Sequence, residues 1–159
     1  MSERGPATVR LLVCGNRLRG DDGAAVLAAE MLDAATLALV EIVEVGQLSV
    51  EALLDAPDGV GVVVADAAVG IPVGFVVTLA LAEVAAGGGG ATPASSHALP
   101  PDQVLALADE LRASPLRGSF VGIGGADFGF GKRLSAAVEA GLPAFAAAVA
   151  DAIRQLAGG

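Results

Sequence analysis

Two short stretches of this chain are almost unbroken runs of Val, Leu and Ala, and each ends at a glycine or an acid. The first is Val9 to Cys14 (VRLLVC), which leads into GNRLRGDDG. The second is Val60 to Ala65 (VGVVVA), which leads to Asp66. A strand with one wet face alternates apolar and polar residues, whereas a strand covered on both faces does not. Both runs therefore read as central strands of a parallel sheet with helices on either side.

The remaining segments fit around them. A helix is expected from about Gly23 to Ala35, with Val26, Leu27, Glu30 and Met31 at helical spacing. Val40 to Val45 (VEIVEV) alternates and reads as a half-exposed strand. Ser49 is an acceptable N-cap for a short helix over Val50 to Leu54. A turn follows at Pro57, Asp58 and Gly59. Gly74 to Leu81 reads as a strand joined to VGVVVA through Gly70, Pro72 and Gly74. That link is too short for a crossover helix, so this strand should run antiparallel at an edge.

The four glycines Gly87 to Gly90 open the stretch with the greatest conformational freedom, which carries ATPASSH. Pro100 and Pro101 mark the start of a helix to about Ala113. Phe120 to Ile123 reads as a strand, GGADFGFGKR as a second glycine-rich loop, and Leu134 to Leu156 as a long helix with a kink near Pro143. The expected architecture is a three-layer αβα sandwich. Its five-stranded twisted sheet is mostly parallel with one antiparallel edge strand. No linker or internal repeat divides residues 1–159, so one domain is expected.

Composition narrows the partners. A hydrophobic share of 54% in 159 residues supplies ample core, while a net charge of -9 disfavours nucleic acid and anionic lipid. No apolar run reaches the ~18 residues of a membrane span. The amino-terminal segment does not resemble a secretory signal. The single cysteine, Cys14, precludes an intrachain disulfide. Together these suggest a cytoplasmic protein. With no Trp or Tyr and five Phe, aromatic stacking is not a main binding mode.

In open parallel sheets, ligands sit outside the carboxyl ends of the strands, where the strand order reverses. Asp21 and Asp22 follow the first strand, and Asp66 ends the second. The loop bearing His97, the only histidine, must return over the top of the sheet to start the next helix. Asp22, Asp66 and His97 can therefore converge. Two carboxylates and one imidazole suit zinc, nickel, iron or manganese, with positions left open for water or a partner's ligand.

Each residue also has a plainer reading. Asp22 serves as a helix cap, Asp66 as a strand end, and His97 as an ordinary loop residue. The glycine loop lacks both G-x-G-x-x-G and a P-loop lysine, and its acids would repel a phosphate. There is no G-x-S-x-G elbow, and Cys14 reads as a core residue.

Gly15, Asn16, Leu18, Asp21, Asp22 and Gly23 form a pattern that resembles the G-N-x-L-x-x-D-D/E-G opening of the hydrogenase maturation endopeptidases. VGQLSVEALL, VVVADAA, SSHALPPDQVLALADEL, FVGIG and LSAAVEAGLP resemble that family's later segments in the same order. The chain departs from the family at Ala24-Ala25 and in its glycine run. The resemblance implies a hydrolase of aspartyl-peptidase type that removes the C-terminal peptide of a nickel-iron hydrogenase large-subunit precursor. It implies Asp22, Asp66 and His97 as both catalytic residues and nickel ligands. The nickel would arrive with the precursor, and zinc or cadmium would substitute in crystals. The alternative is a non-catalytic chaperone or binding module for the same precursor.

Overall fold

The computed structural model describes residues 7–87 and 100–158. Five strands form one sheet: β1 (Val9–Cys14), β2 (Val40–Gly46), β3 (Gly61–Val73), β4 (Val76–Ala80) and β5 (Gly118–Gly124), in the order β2-β1-β3-β5-β4. The pairs β1–β2, β1–β3 and β3–β5 are parallel, and β4 lies antiparallel to β5 at the edge. The mixed α/β architecture read from the sequence is the one observed.

The alternation of side chains along each central strand divides the core. Leu11, Val13, Val63, Ala65, Val121 and Ile123 face one layer of helices. It consists of α1 (Ala24–Glu30) and α6 (Ala136–Gly158). Leu12, Cys14, Val62, Val64 and Phe120 face the other. It consists of α3 (Val50–Leu54), α4 (Leu81–Ala85) and α5 (Pro101–Leu111).

Several boundaries differ from the expected ones, for local reasons. The helix expected over 23–35 is three pieces: a 3-10 turn at Gly20–Gly23, α1, and α2 (Ala34–Leu37). Asp33 breaks it by capping α2, its side chain accepting from the Thr36 N–H at 2.8 Å. Within α1 the buried residues are Ala24, Ala25, Val26 and Ala28, while Met31 is 48% exposed. The small side chains let α1 approach β1 and α6 closely; of the four expected positions Val26 is buried and Leu27 half-buried, while Glu30 and Met31 are exposed.

Strand β3 does not end at Asp66. It continues because β5 offers a ladder as far as Gly124, with Asp66 opposite Gly122 and Ala68 opposite Gly124. The short helix α4 had no signal in the sequence. Ser49 does cap α3, accepting from the Ala52 N–H at 3.2 Å.

Arg112 fixes the direction of α5. Its guanidinium donates to the Leu53 and Ala56 carbonyls, each at 2.8 Å, just before β3 begins. The C-terminal end of α5 is thus pinned at the amino edge of the sheet. Its eleven residues rise roughly 16 Å towards the carboxyl edge. Helix α6 is, among the described residues, the one helix long and apolar enough to cross a bilayer by length and composition. Here Val138, Phe145, Val149 and Ile153 are buried in the core layer against the sheet.

Candidate functional site

The order of strands reverses about β1: β2 is added on one side and β3 on the other. The crevice this creates at the carboxyl ends of β1 and β3 is where a ligand is accommodated in such sheets. Both acids of interest reach it, Asp22 from the loop after β1 and Asp66 from β3 itself.

Gly15 makes the turn out of β1 with φ 118°, and a Cβ there would lie 1.8 Å from the Asp22 carbonyl oxygen. Only a glycine lets the loop close this tightly. The closed loop is tied by Asn16. Its backbone N–H donates to Asp22 Oδ2 at 2.9 Å, and its side-chain Oδ1 accepts from the Leu18 N–H at 2.9 Å.

The two neighbouring acids have opposite fates. Asp21 has no exposed surface. Its Oδ2 accepts from the Ala126 and Asp127 N–H groups at 2.8 and 3.1 Å, and its Oδ1 from the Ser135 N–H at 2.7 Å. The Ser135 hydroxyl adds a further bond. Burial pushes the Asp21 carboxyl up, but these donors outweigh it and hold it below its ordinary value. Asp21 therefore joins the first glycine loop to the second.

Asp22 is half-buried and lacks that wealth of donors. Burial raises its pKa, opposed by the Asn16 N–H and the charge of Arg19. Asp66 continues the alternation of Val62 and Val64, so it belongs to the face covered by α3, α4 and α5. Burial, and then the charge of Asp22, push its carboxyl up to about 8. Cys14 is buried on the same face. Its thiol is raised by burial, then by Asp66 and Asp22. It is a core residue, as its sequence context implied.

The structure thus brings together Asp22 and Asp66. His97 lies outside the described residues, as does the glycine run Gly88 to Gly90 and the ATPASSH segment. Among the described residues no group of three or more His, Cys, Asp or Glu side chains forms a metal cluster. Pro100 and α5 follow His97 in the chain. They begin at the carboxyl edge, on the face that carries Asp66. The pair of acids fits a cation on its chemistry: two partly desolvated carboxylates whose charges act on one another are relieved when positive charge is supplied.

Sequence reading alone did not single out Asp21 as the link between loops. The family resemblance picks Asp22 from the DD doublet, but nothing local to the doublet shows the role of Asp21, because its partners are 105 to 114 residues away.

No protein-family model and no curated protein matches the chain. Solved structures do. The hydrogenase maturating endopeptidase HybD from E. coli is 25% identical, with each chain covered over 92% and a TM-score of 0.71. The solution structure of an endopeptidase from Escherichia coli is 26% identical, with 92% of this chain and 93% of that one covered and a TM-score of 0.68. The [NiFe] hydrogenase maturation protease HycI from Thermococcus kodakarensis KOD1 is 22% identical. It covers 94% of both chains at a TM-score of 0.61. The fold agrees over about nine-tenths of the chain: it has the architecture of the hydrogenase maturation endopeptidases.

Proposed function

We propose that this chain is a maturation endopeptidase, a hydrolase that removes the C-terminal peptide of a nickel-loaded nickel-iron hydrogenase large-subunit precursor in the cytoplasm. Asp22, Asp66 and His97 are the residues assigned to the site. The nickel belongs to the precursor, and zinc or cadmium is expected to replace it in crystals.

The observation that carries this reading is the pairing of Asp22 with Asp66 at the crevice. Asp66 holds its proton up to about pH 8, with burial and the Asp22 charge as causes. A divalent ion that displaces that proton turns mutual repulsion into attraction for both carboxylates. Two protein carboxylates and one imidazole leave coordination positions open, which suits a metal shared with a second protein. The named activities of the similar E. coli and Thermococcus proteins support the same reaction class.

The test is incubation of nickel-loaded precursor with wild-type protein, Asp22→Asn, Asp66→Asn and His97→Ala, followed by intact mass. Wild type is expected to shorten the precursor from its C-terminus, and each variant to lower the rate by at least ~100-fold. Normal trimming by His97→Ala would remove the imidazole from the site. Stable binding by wild type with no change in mass would make the chain a binding module.

A further inference from the structure

In most soluble domains, exposed large apolar side chains are scattered. Among the described residues the three most exposed lie at one edge of the sheet: Phe130 (71%), Leu18 (67%) and Phe75 (67%). Leu18 lies in the first glycine loop, two residues from Asn16 and four from Asp22. Phe130 lies in the second, flanked by Gly129 and Gly131. Phe75 lies in the turn that ends β3, where its carbonyl accepts from the Gly124 N–H. All three therefore stand at the carboxyl edge of the sheet, Leu18 in the loop that carries Asp22 and Phe130 in the loop bonded to it, with Phe75 further along beside the end of β5.

The two loops form one built surface. Asp21 receives the Ala126, Asp127 and Ser135 donors, and its own N–H donates to the Asp127 carbonyl at 2.8 Å. The Gly131 N–H donates to the Leu18 carbonyl at 2.9 Å, and Arg19 Nε to the Phe128 carbonyl at 3.2 Å. The Arg19 guanidinium stands 5.1 Å from the centre of the Phe130 ring. A Cβ on Gly20 would meet the Asp127 carbonyl at 2.4 Å, so the loops touch through backbone. This many cross-links hold Leu18 and Phe130 outward at low entropic cost on binding.

The charge of the surface is unlike that of the rest of the molecule. Arg17, Arg19, Lys132 and Arg133 lie in these two loops, four of the nine Lys and Arg in a chain of net charge -9, against three acids there, of which Asp21 is buried, Asp22 half-buried and Asp127 exposed. Arg17 pairs with Glu30, while no described ion pair includes Lys132 or Arg133.

Resting on the proposed function, we infer that Leu18 and Phe130, with Lys132 and Arg133 around them, form a docking lip for a segment of the substrate polypeptide that carries an apolar side chain among acidic ones. Apolar anchors beside a net positive charge favour a complementary peptide, with the anchors giving affinity and the unpaired Lys132 and Arg133 giving rate of encounter. The same combination would also meet an anionic membrane, but a membrane surface faces the wider field of a chain of net charge -9, whereas a short peptide segment meets only the lip.

Leu18, Phe130, Lys132 and Arg133 are outside the carboxylate site and have exposed side chains, so their substitution leaves the core intact. The experiment measures precursor trimming by the full chain for wild type, Leu18→Ser/Phe130→Ser and Lys132→Glu/Arg133→Glu at two salt concentrations. The apolar pair of substitutions is expected to raise KM about tenfold or more with kcat within about twofold of wild type. The charge pair is expected to raise KM at low salt and to abolish its salt dependence. Equal KM values for wild type and both variants would overturn the lip. So would binding to phosphatidylserine vesicles that the apolar substitutions abolish while trimming is unchanged. Failure of the wild type itself to trim any precursor would instead strike at the proposed function, so the two failures are distinguishable.

Discussion

Asp21 and Asp22 are chemically identical and adjacent, yet one is structural and the other is exposed to the crevice. The difference lies entirely in donors: Asp21 has N–H groups of Ala126, Asp127 and Ser135, and Asp22 has one from Asn16. Asp21→Asn keeps the shape but opposes an amide NH2 to donors, so it should cost about 2 kcal/mol or more of stability. Because the Asp21 carboxyl is held below its ordinary 3.8, its contribution is present above that pH and is lost as pH falls through the folded-state value.

Asp66 behaves in the opposite sense. Its folded carboxyl sits near 8 against an ordinary 3.8, so the native state binds the extra proton between those values and loses stability as pH rises through them. Asp66→Asn should therefore stabilise the protein by on the order of 2 kcal/mol at pH 9 and by much less at pH 4. Urea unfolding of both proteins at the two pH values checks it. Equal differences at both would contradict the burial of this acid.

At the scale of elements, the site depends on turns and on one buried arginine. Gly15→Ala is expected to abolish trimming, because its Cβ would overlap the Asp22 carbonyl. Loss of activity with a native circular-dichroism spectrum, or failure to fold, both satisfy this expectation; full activity contradicts it. Arg112 has a side chain only 5% exposed and donates to the Leu53 and Ala56 carbonyls. Removing it leaves those carbonyls short of a partner and frees the end of α5. Arg112→Ala should cost about 3 kcal/mol, read as a lower urea midpoint.

The ease with which elements were legible also varied. Strands β1 and β5 and helices α3, α5 and α6 were visible because their own residues set their period, cap or length. The break between α1 and α2 was not, because the Asp33 cap competed with a continuous run of good helix formers. Helix α4 and the extension of β3 depend on what they pack against, so their own residues carried little signal.

For the whole molecule, both core layers rest on a single sheet, and β1 contributes to each through Leu11 and Leu12. Unfolding should therefore be one cooperative transition. Cys14, the only thiol, is 1% exposed in the core and provides the probe. Its reaction with a thiol reagent in rising urea should follow the same midpoint as the loss of circular dichroism. An earlier midpoint for the thiol would show that the crevice face opens by itself.

Read by itself, the sequence determined the αβα architecture, the antiparallel edge strand and the neighbourhood of Asp22 and Asp66. Those follow from hydrophobic patterning and connection length, which are properties of contiguous residues. Only the tertiary structure decided what holds Asp21, how far β3 extends, and that the exposed Leu18 and Phe130 share one edge. Each of these depends on partners distant in the sequence, and a hydrogen bond or a burial cost exists only once folding has brought those partners into contact.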